Sequence, residues 1–346
     1  MSSRARLKDV AARAGVSVKT VSNVVNGYEH VTPGTRKKVE EALGELGYVP
    51  NLAARGLRNG RSGVIALALP ELHAPYFAEI AHHVVRAAAE RGWTVLVDET
   101  EGRLDRERQV AAGIRAHLID GLILSPLALT AADLDRRVEG VPMVLLGERV
   151  RHDVADRVAV DNVRAACDAT AHLLDLGRRR IAAIGVQRSA SGVSARLRLQ
   201  GYRRALRAYQ LPLDPALEMP APVWHRADGA AAVRALLAAG DPPDGLFCFN
   251  DLLGLGALRA LHEAGLRVPE DVAVVGFDDI EETRYSTPAL STVSPAKDRI
   301  ASTAVELLMA RLAAREPTPP RRVVAPYTLA VRESSDPRPR PTAPPP

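Results

Sequence analysis

Four hydrogen-bonding side chains fall close together near the N-terminus: Lys19, Thr20, Ser22 and Asn23. Lys19 and Asn23 stand four residues apart, so on a helix they point the same way. An ammonium and an amide on one helix face are groups that can reach base edges in a DNA major groove. Further along, Leu57 lies between Arg55 and Arg58. An apolar wedge flanked by arginines suits insertion into a minor groove. Each has an ordinary alternative: a solvated helix face for the first set, and a plain linker with one exposed leucine for the second.

The elements around these residues decide how they are presented. Leu7, Val10, Ala11 and Ala14 give one apolar stripe and predict a helix over Leu7–Ala14. Gly15 follows where a positive φ is easiest to adopt, and Ser17 sits at the N-cap of a second helix, Val18–Val25. That helix buries Val21, Val24 and Val25 and turns Lys19, Thr20, Ser22 and Asn23 outward, which is a helix-turn-helix pattern. Asn26-Gly27 stops it. Thr32-Pro33 starts a third helix that runs to about Leu46, burying Val39, Ala42, Leu43 and Leu46, with Arg36, Lys37 and Lys38 either near phosphates or simply solvated. Leu52–Arg58 is too short to hold a helix alone, and Gly56 weakens it further, so it is expected to order only when something binds it.

Charge separates this piece from the rest. Residues 1–62 hold eleven Lys and Arg against five Asp and Glu, a net of +6, whereas the remaining residues hold 35 against 36. A small polyanion-binding module on a neutral body fits that division. From Val64 the period changes. Strand-like runs at Val64–Leu69, Thr94–Val97, Gly121–Leu124, Met143–Leu146, Val158–Val160, Ile181–Gly185, Gly245–Phe249 and Val272–Gly276 alternate with helical patterns. Repeated βαβ units with buried strands predict parallel sheets covered on both faces. About ten strands exceed one compact sheet, so two α/β lobes are expected, with any ligand in the cleft between them at the carboxyl ends of strands. Ser334–Pro346 carries six prolines in thirteen positions and is expected to be a disordered tail.

Other classes find little support. Gly254–Gly256 lacks the third glycine of a dinucleotide fingerprint and lies in a helical pattern. There is no P-loop, no GxSxG and no metal-spaced His/Cys set, and the adjacent His82 and His83 point in different directions along a helix. No cofactor, no metal and no enzymatic activity are therefore expected. Two distant cysteines, Cys167 and Cys248, fit a reducing compartment. No secretory signal or long apolar run is present, so the expectation is a cytoplasmic protein with no membrane partner, nucleoid-associated when bound to DNA. A transport solute-binding protein would need a signal peptide and would have no use for a basic helix-turn-helix.

The text LKDVAARAGVSVKTVSNVVNG, then GYVPNLAARGLRNGR, then RLRLQGY, CFNDLLGLGALRAL, VPEDVAVVGFDD, TPALSTV and VRES resembles the LacI/GalR family of bacterial transcription regulators, in order and over nearly the whole chain. The resemblance implies a headpiece over 1–49, a hinge helix over 50–62, a type I periplasmic-binding-protein-like body over 63–333 and the tail over 334–346. It implies a dimer on operator DNA, the second helix in the major groove and Leu57 in the minor groove. Lys8, Ser17, Val18, Lys19, Thr20, Ser22, Asn23, Asn26, Arg55, Leu57 and Arg58 are the candidate DNA contacts. Val18, Lys19 and Asn23 occupy the base-reading positions. Many relatives have Arg or His where this chain has Asn23, and Asn pairs with adenine where Arg pairs with guanine.

For the cleft, the resemblance assigns Asp278 as a ligand-hydroxyl carboxylate, Asn250 as its amide partner, Arg198 as the guanidinium and Trp224 as a stacking ring. His73, Tyr76, Phe77 and Ser125 follow strands on the other lobe and complete the candidate effector set. Together they make a polyol-binding chemistry, with a sugar as the expected effector. Asn250, Asp251 and Asp278 also fit plain helix caps. Some relatives carry an Asp after the strand PMVLL, where this chain has Gly147, followed by Glu148 and Arg149; either Glu148 takes that role or the ligand lacks the hydroxyl. An inducible repressor is the expectation from family frequency, and a co-repressed or activating regulator is the alternative. With no terminal coiled coil, a dimer is the default.

Overall fold

The computed structural model describes residues 5–25, 28, 30–48, 61–113, 118–136, 141–150, 155–189, 192–314, 316 and 318–336. Two compact units result, Met1–Gly63 and Val64–Pro346.

The first unit holds α1 (Leu7–Ala14), α2 (Val18–Val25) and α3 (Pro33–Glu45). Gly15 closes α1 at φ 65° and its N–H reaches the carbonyl of Ala11. Ser17 Oγ accepts from the backbone N–H of Thr20 at 3.0 Å, and Thr32 Oγ1 from that of Thr35 at 3.4 Å, so both following helices start on capped donors. Val10, Ala11, Val21, Val24, Val39 and Ala42 form the core, with Leu43 and Tyr48 packed against it. Two expectations change. Leu46 is exposed, because α3 ends at Glu45 and the chain turns to bring Tyr48 inward. Ser22 is only 7% exposed, so it belongs to the buried side of α2 and not to the face shared by Lys19 and Asn23.

The second unit is two six-stranded sheets. The first runs β11 (Arg322–Ala325), β5 (Asp156–Val160), β4 (Met143–Leu146), β3 (Gly121–Leu124), β1 (Val64–Leu69), β2 (Thr94–Glu99), parallel throughout. The second runs β12 (Tyr327–Ala330), β10 (Ser291–Pro295), β9 (Ala273–Phe277), β8 (Gly245–Cys248), β6 (Ile181–Val186), β7 (Glu218–Pro220), with only β12 antiparallel. Central strands such as Ile181–Val186 are buried along their whole length, as their unbroken apolar runs require.

Helices α4 (Pro75–Ala89), α5 (Leu104–Ala111), α6 (Ala131–Asp135) and α11 (Lys297–Ala313) belong to the first lobe. Helices α7 (Asn162–Asp175), α8 (Val193–Ala208), α9 (Arg226–Ala238) and α10 (Asp251–Glu263) belong to the second. The chain passes between lobes three times: after β5, after β10 and between β11 and β12. Gly256 of the rejected GLG motif serves packing. A Cβ there would stand 1.9 Å from the carbonyl of Arg226, so only glycine lets α9 and α10 approach this closely.

A buried charge ties the first lobe to its last strand. Asp156 at the start of β5 is fully buried and accepts from Arg311 Nη2 at 2.8 Å, Arg321 Nη2 at 2.7 Å and the Arg321 backbone N–H at 2.7 Å. Burial alone would raise its pKa, but the arginine hydrogen bonds outweigh that and hold the carboxyl at about 2. At the other end of the chain, Ser334 and Ser335 are buried, with Ser334 Oγ donating to the Val274 carbonyl at 2.7 Å. The ordered body therefore continues past the residue 334 expected to open the tail.

Candidate functional site

The strands of the second unit end on a cavity of about 320 Å³ between its lobes, within the size range of small-molecule sites. Tyr76, Phe77, Ser125, Arg198, Trp224, Asn250 and Asp278 all line it. The first three come from the first lobe and the other four from the second. Ser125, Asn250 and Asp278 follow strands directly, where αβ crossover geometry places ligands, and Arg198 reaches the same space from within a helix.

Arg198 on α8 is the centre of the polar wall. Its guanidinium lies 3.5 Å from the ring centroid of Phe277 and 5.2 Å from that of Trp224. Nε donates to Asn162 Oδ1 at 2.7 Å and Nη1 to the carbonyl of Phe249. Burial lowers its pKa, against the pull of Asp278 and Glu148. Asp278 Oδ1 is 3.7 Å from Arg198 Nη2, close enough for attraction and too long for a good hydrogen bond. Burial pushes the Asp278 carboxyl up to about 6, with Arg198 and Lys297 opposing.

Asp278 also departs from ordinary backbone geometry. Its φ is 114° and that of Asp279 is 51°, conformations that cost a non-glycine residue about 1–3 kcal/mol each. The surroundings hold them there. Lys297 Nζ donates to the carbonyls of Asp278 at 2.8 Å and Asp279 at 2.6 Å, and the Asp279 carboxylate pairs with Arg332. A buried carboxylate, Asp251, braces the same turn by accepting from the Ile280 N–H at 3.0 Å and from Thr292 Oγ1 at 2.6 Å.

Asn250 is both lining residue and cap. Its Oδ1 accepts from the Leu253 N–H at 2.9 Å at the start of α10, and its Nδ2 donates to the Trp224 carbonyl at 3.0 Å. One amide hydrogen remains for a ligand. Trp224 is itself fixed, donating Nε1–H to the Gly185 carbonyl at 2.9 Å. Tyr76 is half-buried, and desolvation followed by the charges of Asp278 and Glu148 raises its phenol pKa.

His73 stands apart from the expected set. It does not line the cavity; its side chain is 71% exposed and stacks on His225 at the rim. The β1–α4 loop carries it past the strand end before Pro75 starts the helix. Conversely, Glu148, Asn162, Ser194, Gln187, Glu71 and His225 line the cavity and were not in that set. Glu148 follows β4 and accepts from Asn162 Nδ2 at 2.6 Å, the Val160 N–H at 3.2 Å and Ser194 Oγ at 3.3 Å, and burial raises its pKa against the opposing charge of Arg198. Its place after a parallel strand was the available signal for it, and Asn162 just beyond β5 carries the same one.

In the first unit, Lys8, Ser17, Val18 and Lys19 are exposed, while Thr20 and Asn23 are half-buried. Arg36 Nη2 donates to the Tyr28 carbonyl at 2.8 Å, so this member of the basic cluster braces the loop before α3, and Lys37 and Lys38 are exposed. Asn26, Arg55, Leu57 and Arg58 lie outside the described residues.

A family profile described as "Bacterial regulatory proteins, lacI family" matches residues 6–51, and one described as "Periplasmic binding protein-like domain" matches residues 170–335. The HTH-type transcriptional regulator CelR of Thermobifida fusca is 38% identical over 342 residues, covering 96% of this chain and 98% of the relative. The chain belongs to the LacI family of bacterial transcriptional regulators. Solved LacI-family structures match it along almost the whole length. A CelR–cellobiose complex is 35% identical with a TM-score of 0.70, covering 96% of this chain and 100% of that one. A Lac repressor dimer bound to operator and the anti-inducer ONPF is 30% identical with a TM-score of 0.82, covering 96% and 99%. This LacI-family chain is a DNA-binding regulator with a small-molecule effector, and its relatives are regulators, not enzymes. Among its described residues no helix is long and apolar enough to cross a membrane.

Proposed function

We propose that the chain is a cytoplasmic, homodimeric repressor that leaves its operator when a sugar enters the cavity between the lobes. One observation carries the sugar assignment. Asp278 and Arg198 stand 3.7 Å apart on one wall, with Trp224, Tyr76 and Phe77 around the same space. A hydroxyl placed between that carboxylate and guanidinium donates to one and accepts from the other, while the rings cover the C–H face of a pyranose. Glu148 supplies a second carboxylate one residue past Gly147, the position where some relatives carry an Asp, and Asn250 supplies its free amide hydrogen. The CelR structure, a cellobiose complex, supports a saccharide of this kind.

On the DNA side, Val18, Lys19 and Asn23 read base edges, with Lys8, Ser17, Thr20 and Asn26 around them, and Arg55, Leu57 and Arg58 engage the minor groove at the operator dyad. Dimerisation has a suitable surface. β2 is an edge strand with Leu96 and Val97 exposed, and Val85 on α4 is exposed as well. An uncovered apolar edge is a liability that a second copy removes.

The test is fluorescence anisotropy with the palindrome from the DNA upstream of this chain's own coding sequence, titrated with mono- and disaccharides. Release by one sugar supports the proposal and identifies the ligand. Tightening by a sugar reverses the sign of the switch. Indifference to every sugar, with DNA binding intact, removes the polyol assignment.

A further inference from the structure

We propose that Glu71, His73 and His225 form a divalent transition-metal site across the mouth of the cleft. Glu71 and His73 lie in the loop between β1 and α4 of the first lobe, and His225 immediately precedes α9 of the second. Glu71 Oε2 is 3.5 Å from His225 Nε2 and 3.8 Å from His73 Nε2, and one ligand atom from each residue falls within 4.8 Å of the others. Zinc bonds of about 2.0–2.1 Å place tetrahedral ligand atoms about 3.4 Å apart. Shifts of a few tenths of an ångström to about one ångström bring all three donors onto one ion. The two imidazoles are stacked, with centroids 5.6 Å apart and planes 14° from parallel, so one ring must also rotate about its χ2 to bring both in-plane lone pairs onto the ion.

The donor set selects the ion. Two imidazoles and one carboxylate suit Zn²⁺, Co²⁺ or Ni²⁺ and not Mg²⁺ or Ca²⁺, which prefer all-oxygen shells. Glu71 and His225 are about one-third exposed and His73 more so, which leaves a fourth position open to water. Glu71 and His225 also line the cavity, so an ion held between them ties the lobes together beside the ligand space. Bound metal therefore holds the cleft shut and slows ligand exchange. That consequence rests on the effector reading above, whereas metal binding itself does not.

The experiment titrates chelator-stripped full-length protein with Co²⁺, read by its visible absorption, and with Zn²⁺ by calorimetry. One ion per chain is expected, with a tetrahedral-type Co²⁺ spectrum. His225→Ala and His73→Ala should each weaken binding by at least about tenfold to a hundredfold, the cost of disturbing even an outer-shell partner. His82→Ala, in the adjacent His82–His83 pair on α4, should leave it unchanged. Absence of binding, or binding that survives the double variant His73→Ala/His225→Ala, overturns the proposal. Sugar binding measured without metal reports separately on the effector reading, so failure of one is distinguishable from failure of the other. With metal present, the sugar dissociation rate should fall in the natural chain and stay unchanged in His225→Ala; an equal fall in both overturns the lock across the cleft.

Discussion

Lys297 donates to the backbone carbonyl of Asp278 at 2.8 Å, linking the first residue of α11 to the residue whose carboxylate faces the cavity. The same ammonium is salt-bridged to Glu79 on α4 at 2.5 Å, and Glu79 also accepts from the Glu281 N–H at 3.1 Å. One largely buried cation thus joins the first lobe to the strained turn of the second. Lys297→Met is predicted to destabilise the body by about 2–4 kcal/mol, since it strands Glu79 and two carbonyls. Adding Glu79→Gln should recover part of the loss by removing the stranded charge. Thermal melts of the single and double variants check this, and a single variant as stable as the natural chain would refute it.

Effector affinity should depend on pH through Asp278. Its carboxyl is raised from 3.8 to about 6, so it is ionised at pH 7 and mostly protonated at pH 5. The raised value means that the folded state favours the protonated form: that contribution to stability is complete below pH 3.8 and is lost as pH rises through about 6. Effector affinity runs the other way and should fall by up to about tenfold per pH unit below 6 as the acceptor is lost. Asp278→Asn should flatten this profile and weaken binding, with operator affinity retained. An unchanged pH profile in that variant would place the titrating group elsewhere.

The Asp156 cluster predicts the acid limit of the first lobe. A pKa depressed to about 2 contributes stability that is fully present above the ordinary value of 3.8 and is lost as pH falls through about 2. Asp156→Ala strands the largely buried Arg311, while Arg321 keeps solvent contact, and should cost about 3 kcal/mol, the low end for a broken buried pair. Urea unfolding at pH 7 and pH 3 measures both effects; a variant within 1 kcal/mol of the natural chain at pH 7 would contradict the assignment.

For the headpiece, Asn23→Ala should lose about 1–3 kcal/mol of discrimination at one base pair of each half-site. Lys8→Ala should weaken all sequences alike and lower the salt slope by about one. Ser17→Ala removes the acceptor of the Thr20 N–H and should cost about 1 kcal/mol of helix stability whether or not DNA is present. Operator titrations across a salt series separate the three. A common loss at every base position for Asn23→Ala would deny it a reading role.

What the sequence showed and what it hid follow from range. The three headpiece helices and Ile181–Val186 announce themselves through local signals: caps, a left-handed glycine and unbroken apolar runs. β7, Glu218–Pro220, and β10, Ser291–Pro295, were missed because three residues ending in proline, or five rich in hydroxyls, become strands only against a neighbour. β11 and β12 were missed for the same reason. In the cavity, Asp278 and Arg198 were reached through the family text, whereas the approach of Glu71 to His225 has no sequence signal, since it exists only when two lobes face each other. Ser22 was placed outward because its type is polar, although its position on α2 faces the core.

The three crossings give the chain a temporal order. β11 and β12, separated only by Pro326, each complete a different sheet. During synthesis, neither lobe acquires its last edge strand until about residue 330 has left the ribosome, whereas every helix of the headpiece core has been made by residue 48. The DNA-reading module is thus available to fold long before the body that senses the ligand. A message broken late in the coding sequence would yield a polypeptide able to form its headpiece and unable to finish either half of its sensor.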